Sequence, residues 1–145
     1  MLDDDSPPSL SNPLEGLVGY HLRRAANAML VDLARRIEPL GLTLTEMSVV
    51  QLIAANPGIR QSEIGKALAI KRANMAPIIA ALEARGHVSR MALDGRSQGL
   101  NLTDSGEAVV RQLRIHVAEN EAWLMRNAGS GAEARLIAQL RAIWA

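Results

Sequence analysis

The chain has 145 residues, of which 48% are hydrophobic, with 16 Lys and Arg against 15 Asp and Glu and no cysteine. This length fits one folded domain, or one domain with an appended dimerisation element. Because cysteine is absent, a disulfide-stapled secreted scaffold, a thiolate nucleophile and a Cys-ligated zinc finger are excluded, and a cytoplasmic location is expected.

The start of the chain and its apolar runs predict a protein that is neither exported nor membrane-spanning. The opening MLDDDSPPS is acidic and contains prolines, whereas a signal peptide would be basic and then apolar. Charged residues interrupt every long apolar run before it reaches the length of a membrane span.

The net charge of +1 hides an uneven distribution along the chain. Residues 1–46 carry a net charge of −3, residues 47–103 carry +4, and residues 104–145 are neutral. Fourteen of the 16 basic residues are arginine, whose planar guanidinium matches phosphate groups and guanine edges. The basic charge is therefore concentrated in the middle of the chain.

The first part of the chain predicts an arm followed by a long helix. Residues 1–13 are rich in proline and small polar side chains, which is typical of a flexible arm. From Leu14 to Ile37, apolar residues recur at spacings of three and four, so an amphipathic helix is predicted that ends near Glu38, before Pro39.

Three helices are predicted next. Residues 43–46 fit the capping-box pattern, so a second helix should begin there and end at the turn formed by residues 56–58. A short helix over residues 61–68 and a helix over residues 71–85 should follow, the latter ended by Gly86.

After Gly86, the spacing of apolar residues changes from about 3.6 residues, typical of a helix, towards 2, typical of a strand. Residues 87–91 and 98–102 are two strand candidates around a glycine-containing loop, which indicates a β-hairpin. Helices over residues 104–127 and 132–144 should follow, separated by a Gly-Ser-Gly linker. The predicted fold is mostly α-helical with a small β-hairpin, in the element order of a winged helix-turn-helix domain.

Four sequence blocks make this prediction more specific, because they stand in the order and spacing of one family. The blocks are QSEIGKAL at residues 61–68, LEARGHVSR at 82–90, DGRS at 94–97 and LTDSG at 102–106. Residues 42–106 thus resemble the MarR (multiple antibiotic resistance regulator) family of transcription regulators.

The resemblance implies a homodimeric repressor that binds a pseudo-palindromic duplex DNA operator and is released by a small aromatic or anionic ligand, without a cofactor. Residues 14–40 and 104–145 would build the dimer, and residues 42–103 would bind DNA. Two alternatives stay open: a regulator without a small-molecule effector, and a winged-helix module that binds protein and not DNA. Salt-dependent binding to duplex DNA would argue against the second.

The second helix of the pair, residues 71–85, would enter the major groove. Lys71, Arg72 and Asn74 lie at its N-terminal end, where the helix dipole and free N–H groups favour phosphate, and asparagine can bond an adenine edge. A solvated helix start is the alternative. Two features depart from the family: Lys71 stands where a Ser or Thr cap is common, and Pro77 predicts a kink near residues 73–77.

The hairpin loop supplies the other predicted contacts. By the resemblance, Arg96 is the wing arginine that inserts into a narrow minor groove, while Asp94 fixes the loop through its side-chain acceptor. An ordinary Asp-Gly turn with a surface arginine is the alternative. Arg90 is placed on the outer part of the hairpin, as a contact that does not read sequence. The predicted DNA-binding residues are Arg60, Gln61, Lys71, Arg72, Asn74, Met75, Arg90, Asp94, Arg96 and Ser97.

A ligand site is predicted from the resemblance alone, because family effectors bind between the dimerisation helices and the winged domain. This location brings in Tyr20, His21, Arg24 and Met47, and the first three could receive a carboxylate or phosphate. In the alternative interpretation, Tyr20 is a core residue, His21 is partly exposed and Arg24 belongs to the charge pattern of the dimer.

Catalysis is not expected, because the sequence has no Gly-rich phosphate loop, no Gly-x-Ser-x-Gly elbow and no His-Glu-x-x-His motif. His116 and Glu119 could share a metal, but a solvated pair is favoured because no third ligand is near in sequence. Trp123 and Trp144 are predicted to be packing anchors of a subunit interface.

Overall fold

The computed structural model describes residues 10–95, 97–129 and 131–145. These residues form six α-helices and one two-stranded antiparallel sheet. The elements are α1 (Val18–Ile37), α2 (Leu44–Ala55), α3 (Gln61–Ala67), α4 (Arg72–Ala84), β1 (Val88–Ala92), β2 (Gln98–Leu102), α5 (Asp104–Ala128) and α6 (Glu133–Trp144). The mostly helical fold with a hairpin is confirmed.

The beginning of α1 differs from the prediction. The segment Pro13–Gly16 is a separate 3₁₀ helix, capped by the Asn12 side chain, which accepts a 3.1 Å hydrogen bond from the Leu14 N–H. Leu17 is extended and serves as the N-cap of α1, so the apolar period continues across a break in the helix.

Local signals in the sequence fix most helix ends. Thr43 and Glu46 form the predicted capping box, with Thr43 N–H to Glu46 Oε2 at 2.9 Å and Glu46 N–H to Thr43 Oγ1 at 3.2 Å. Gly86 follows α4 with a φ of +75°, as its predicted role requires. Helix α4 continues across Pro77, whose kink stays a prediction.

The turn between α3 and α4 is tight. The Ile70 N–H donates to the Gly65 carbonyl at 2.8 Å, and a Cβ on Gly65 would lie 3.0 Å from the Ile70 oxygen. Ala69 completes the turn with a φ of +53°, in the left-handed region. These contacts within the turn therefore hold α3 and α4, the two helices of the helix-turn-helix, close together.

One apolar core joins α1, the helix-turn-helix, the hairpin and α5. Its buried members come from these elements and from α2. They are Leu33, Ile37, Leu42, Val49, Val50, Ile53, Ile64, Met75, Ile79, Leu82, Val88, Leu100, Val110 and Leu113. Within the described ranges, no single helix is long and apolar enough to cross a membrane; residues 18–40 and 44–55 meet that test only when taken together, bent by 71°.

A polar cluster crosses the α1–α5 contact. The buried Asp32 carboxylate accepts hydrogen bonds from Arg36 at 2.6 Å, Arg35 at 2.8 Å and Asn120 of α5 at 2.9 Å. Arg36 also reaches Glu119 of α5 at 3.0 Å. The hydrogen bonds from Arg36 and then Asn120 lower the pKa of Asp32 from 3.8 to about 2, against the opposing effect of burial.

This shift predicts a difference in acid stability between the parent and Asp32→Asn. Because the pKa of Asp32 is lower in the folded chain, its ionised form favours folding above pH 3.8, and that contribution disappears as the pH falls towards about 2. Asp32→Asn should be less stable near neutral pH and should lose less stability across this window. Urea unfolding at a series of pH values measures the effect, with exposed Asp94→Asn as the control. If the free energy of unfolding fell equally for the parent and for Asp32→Asn between pH 3.8 and about 2, the prediction would be contradicted.

A candidate nucleic-acid interface

Helix α3, the start of α4 and the hairpin surround an open groove of about 730 Å³, here called the basic groove. Its described lining contains five basic residues and no acidic one. The basic residues are Arg60, Lys66, Lys71, Arg72 and Arg90. Five of the seven basic residues in the middle of the sequence thus line one surface, which suits a polyanionic partner.

The N-terminus of α4 opens into the basic groove. Lys71 is the N-cap but its side chain makes no capping bond, and the first helical bonds run from Asn74 N–H and Met75 N–H to the Lys71 carbonyl, at 2.9 and 3.1 Å. Within the described chain, the N–H groups of Arg72 and Ala73 therefore have no partner. These groups and the helix dipole favour an anion beside the exposed Lys71 and Arg72.

The prediction that Met75 contacts DNA is wrong. Its side chain is only 1% exposed and belongs to the core. Met75, Ile79 and Leu82 are spaced four and three residues apart, so they share the inward face of α4. Asn74 lies on the exposed surface and stays a candidate base contact.

The position predicted for Arg90 is also corrected. Arg90 pairs with Leu100 across the hairpin, so it shares the inner sheet face with buried Val88 and does not lie on the outer part. Its Nε donates to Glu83 of α4 at 2.8 Å, and an Nη donates to Gln98 at 3.5 Å. Arg90 therefore fills the angle between α4 and the hairpin, where Glu83 offsets part of its charge.

The hairpin loop is closed by main-chain bonds and linked to α3. Leu93 N–H donates to the Ser97 carbonyl at 2.9 Å, and Ser97 N–H donates to the Asp94 carbonyl at 3.2 Å. Arg60 Nε donates to Ser97 Oγ at 2.8 Å. The role of the Asp94 side chain stays a prediction, and Arg96 lies outside the described residues.

Sequence reasoning did not single out several residues of this site, among them Lys66, Gln98 and Glu83. Lys66 and Gln98 line the basic groove, and Glu83 holds Arg90. Lys66 carries a detectable signal, because it is a basic residue in the last turn of a short helix that precedes the recognition helix. Gln98 and Glu83 become functional candidates only once the strand register and the contact between α4 and the hairpin are known.

The predicted ligand residues form one cluster on α1, with Met47 elsewhere. Arg24 donates to the Tyr20 hydroxyl at 3.0 Å and lies 5.6 Å from its ring centre. His21 Nε2 lies 2.8 Å from the Glu15 carbonyl oxygen, and its ring meets the Tyr20 ring edge-on at 5.2 Å. Tyr20 is half-buried, and Met47 packs against the core from α2.

His116 and Glu119 lie 3.7 Å apart, and Glu119 is also bound by Arg36. In the described part of the chain, no group of three His, Asp or Glu side chains is placed to hold a metal ion. Of the two tryptophans, Trp123 is partly buried, whereas Trp144 is 76% exposed.

Comparison with known proteins places this geometry among DNA-binding regulators. The model of the MarR family matches residues 42–97. The transcriptional repressor CouR, solved with a 23-mer DNA duplex, is 36% identical, with a TM-score of 0.83 over 90% of this chain and 94% of that chain. The structure of CouR bound to p-coumaroyl-CoA is 34% identical in sequence, with a TM-score of 0.82 over 93% of this chain and 96% of that chain. The HTH-type transcriptional repressor Rv2887 of Mycobacterium tuberculosis is 27% identical over 86% of this chain and 84% of its own.

The inward position of Met75 leads to a test on stability. Met75→Ala should lower the free energy of unfolding by about 2 to 5 kcal/mol, because it leaves a cavity in the core. Exposed Asn74→Ala should change it by no more than about 0.5 kcal/mol. Chemical denaturation measures both. If Met75→Ala were as stable as the parent, its assignment to the core would be wrong.

Proposed function

Because the chain belongs to the MarR family of winged helix-turn-helix transcription regulators, we propose that it acts as a homodimeric repressor that binds a two-fold symmetric operator in the cytoplasm, without a catalytic role. The observation that carries this proposal is the basic groove, which is lined by five cationic side chains and includes the uncapped N-terminus of α4. Phosphate is the ligand that this combination of charge and free N–H groups suits best.

In this proposal α4 lies in the major groove and the hairpin reaches the adjacent minor groove. Lys71 and Arg72 contact phosphates, and exposed Asn74 reads a base edge. Arg96 is proposed as the minor-groove residue and Asp94 as the residue that orders its loop, on the strength of the family motif at residues 94–97. Gln61, half-buried at the start of α3, lines the same groove.

The exposed apolar surface supports the proposed dimer. Val18 near the start of the chain is 74% exposed, and Ile143 and Trp144 at its end are 67% and 76% exposed. Apolar side chains of this size cluster on a surface where another subunit covers them. We therefore assign residues 14–40 and 104–145 to the dimer, and residues 42–103 to DNA binding.

Duplex titrations over a range of salt concentrations test DNA binding. The affinity should fall linearly on a log–log plot, and Arg72→Ala should reduce the slope by up to about two units per dimer, at roughly 0.9 per lost phosphate contact. Arg111→Ala, an exposed arginine on α5 outside the basic groove, is the matched control. A parent protein with no salt-dependent duplex binding would contradict the proposed function.

The α1 cluster of Tyr20, His21 and Arg24 is the proposed effector site, and Met47 on α2 is kept as a further candidate for its lining. CouR binds p-coumaroyl-CoA, which combines an aromatic acyl group with phosphates. In this chain, Tyr20 offers an aromatic surface, while Arg24 and His21 offer hydrogen-bond donors to an anion. We therefore propose an aromatic acid or its coenzyme A thioester as the effector class.

This assignment predicts that p-coumaroyl-CoA weakens operator binding. The expected effect at saturation is about 5- to 150-fold, the usual size of a coupling between two sites. Arg24→Ala should raise the ligand concentration required, whereas Arg23→Ala, its exposed neighbour on α1, should respond like the parent. Fluorescence anisotropy of labelled operator measures both. An unchanged operator affinity for the parent at saturating p-coumaroyl-CoA would show that this ligand class is wrong.

A further inference from the structure

The segment between α2 and α3 packs on the hairpin through an isolated antiparallel β-bridge between Ile59 and Leu100. Gly58 N–H donates to the Leu100 carbonyl at 2.9 Å, and Leu100 N–H donates to the Ile59 carbonyl at 2.9 Å. A Cβ on Gly99 would lie 2.5 Å from the Gly58 oxygen, so only glycine permits this approach. The main chain that leads into α3 is therefore held directly against β2.

Arg60, the next residue, extends this contact to the hairpin loop. Its N–H donates to Glu63 Oε2 at 2.8 Å, and its carbonyl accepts from the Glu63 N–H at 2.9 Å. The main chain of Arg60 is thus fixed at the start of α3, while its Nε donates to Ser97 Oγ across 37 residues of sequence. Ser97 is in turn fixed by its main-chain bonds to Leu93 and Asp94.

We propose that Arg60 and Ser97 form a positioning pair that sets the angle of the hairpin relative to the helix-turn-helix. The pair would determine how well the hairpin and α4 engage the two grooves of DNA at the same time. The inference deepens the proposed function and depends on it, because it concerns the geometry of the same DNA-binding surface. It also gives Arg60 a role that its charge alone does not supply.

A direct phosphate contact is the competing role for Arg60, and the geometry argues for positioning. The Nε of Arg60 donates to Ser97 and so orients the plane of the guanidinium, while the Nη donors remain for another group. The acceptor is a neutral hydroxyl on another element, so the bond adds no charge to the groove. The bond joins the start of α3 to the hairpin loop, two parts of the groove lining that are far apart in sequence.

Ser97→Ala is the decisive variant, because it removes the acceptor and leaves every charge in place. Ser97→Thr keeps the hydroxyl, and Ser89→Ala changes an exposed serine on β1 as the matched control. Arg60→Ala and the Arg60→Ala/Ser97→Ala double variant complete the cycle. The measurements are duplex affinity on A·T-rich and G·C-rich flanks, the salt slope, and the unfolding midpoint.

Ser97→Ala should lose about two- to tenfold in affinity, the worth of one hydrogen bond, and should discriminate less between the flanks at an unchanged salt slope and unfolding midpoint. Ser97→Thr and Ser89→Ala should behave like the parent. The double variant should lose no more than Arg60→Ala alone, because both substitutions break one interaction.

Additive losses, or Ser97→Ala binding like the parent while Arg60→Ala lowers the salt slope, would overturn the positioning role and leave Arg60 as a phosphate contact. The parent titration separates this failure from that of the proposed function. If the parent binds no duplex in a salt-dependent manner, both are wrong. If the parent binds duplex and Ser97→Ala binds it with the same affinity and flank preference, only the proposed positioning role is wrong.

Discussion

The hairpin can take its place only because two glycines let main chains approach without a side chain between them. Gly99 on β2 faces the Gly58 carbonyl, and Gly106 at the start of α5 faces the His87 carbonyl, closer than a Cβ would allow. These contacts fix β2 on one side and α5 on the other. Every side chain that the hairpin contributes to the basic groove is positioned by this packing.

The cluster around Asp32 provides the corresponding constraint at the proposed dimer helices. A buried carboxylate is costly unless it is fully hydrogen-bonded, and here three donors from two helices converge on it. Since Asn120 can donate to Asp32 only at one relative position of α1 and α5, the cluster favours a defined crossing of these helices. Among the described side chains, no buried polar atom lacks a partner.

Much of the fold follows from local signals, whereas the site needed information on packing. The capping box at Thr43 and the positive φ at Gly86 depend on neighbours in sequence, so the helix ends were predictable. Met75 was misassigned although its spacing to Ile79 and Leu82 indicates the core face. The contact between Arg60 and Ser97 has no local signal, because nothing in the sequence gives the approach of residues so far apart.

The corrected position of Arg90 also separates two proposed tasks of the basic groove, the attraction of phosphate and the geometry of readout. Lys71 and Arg72 are exposed beside a helix N-terminus, where the proposed function has them attract any duplex through its phosphates. Arg90 is held by Glu83, and a guanidinium paired with a carboxylate adds little net charge at a distance. In the proposed function, Arg90 would therefore contribute more to the shape of the groove than to its affinity for phosphate. The proposed function thus assigns general attraction and the geometry of readout to different side chains, so a substitution should alter one without the other.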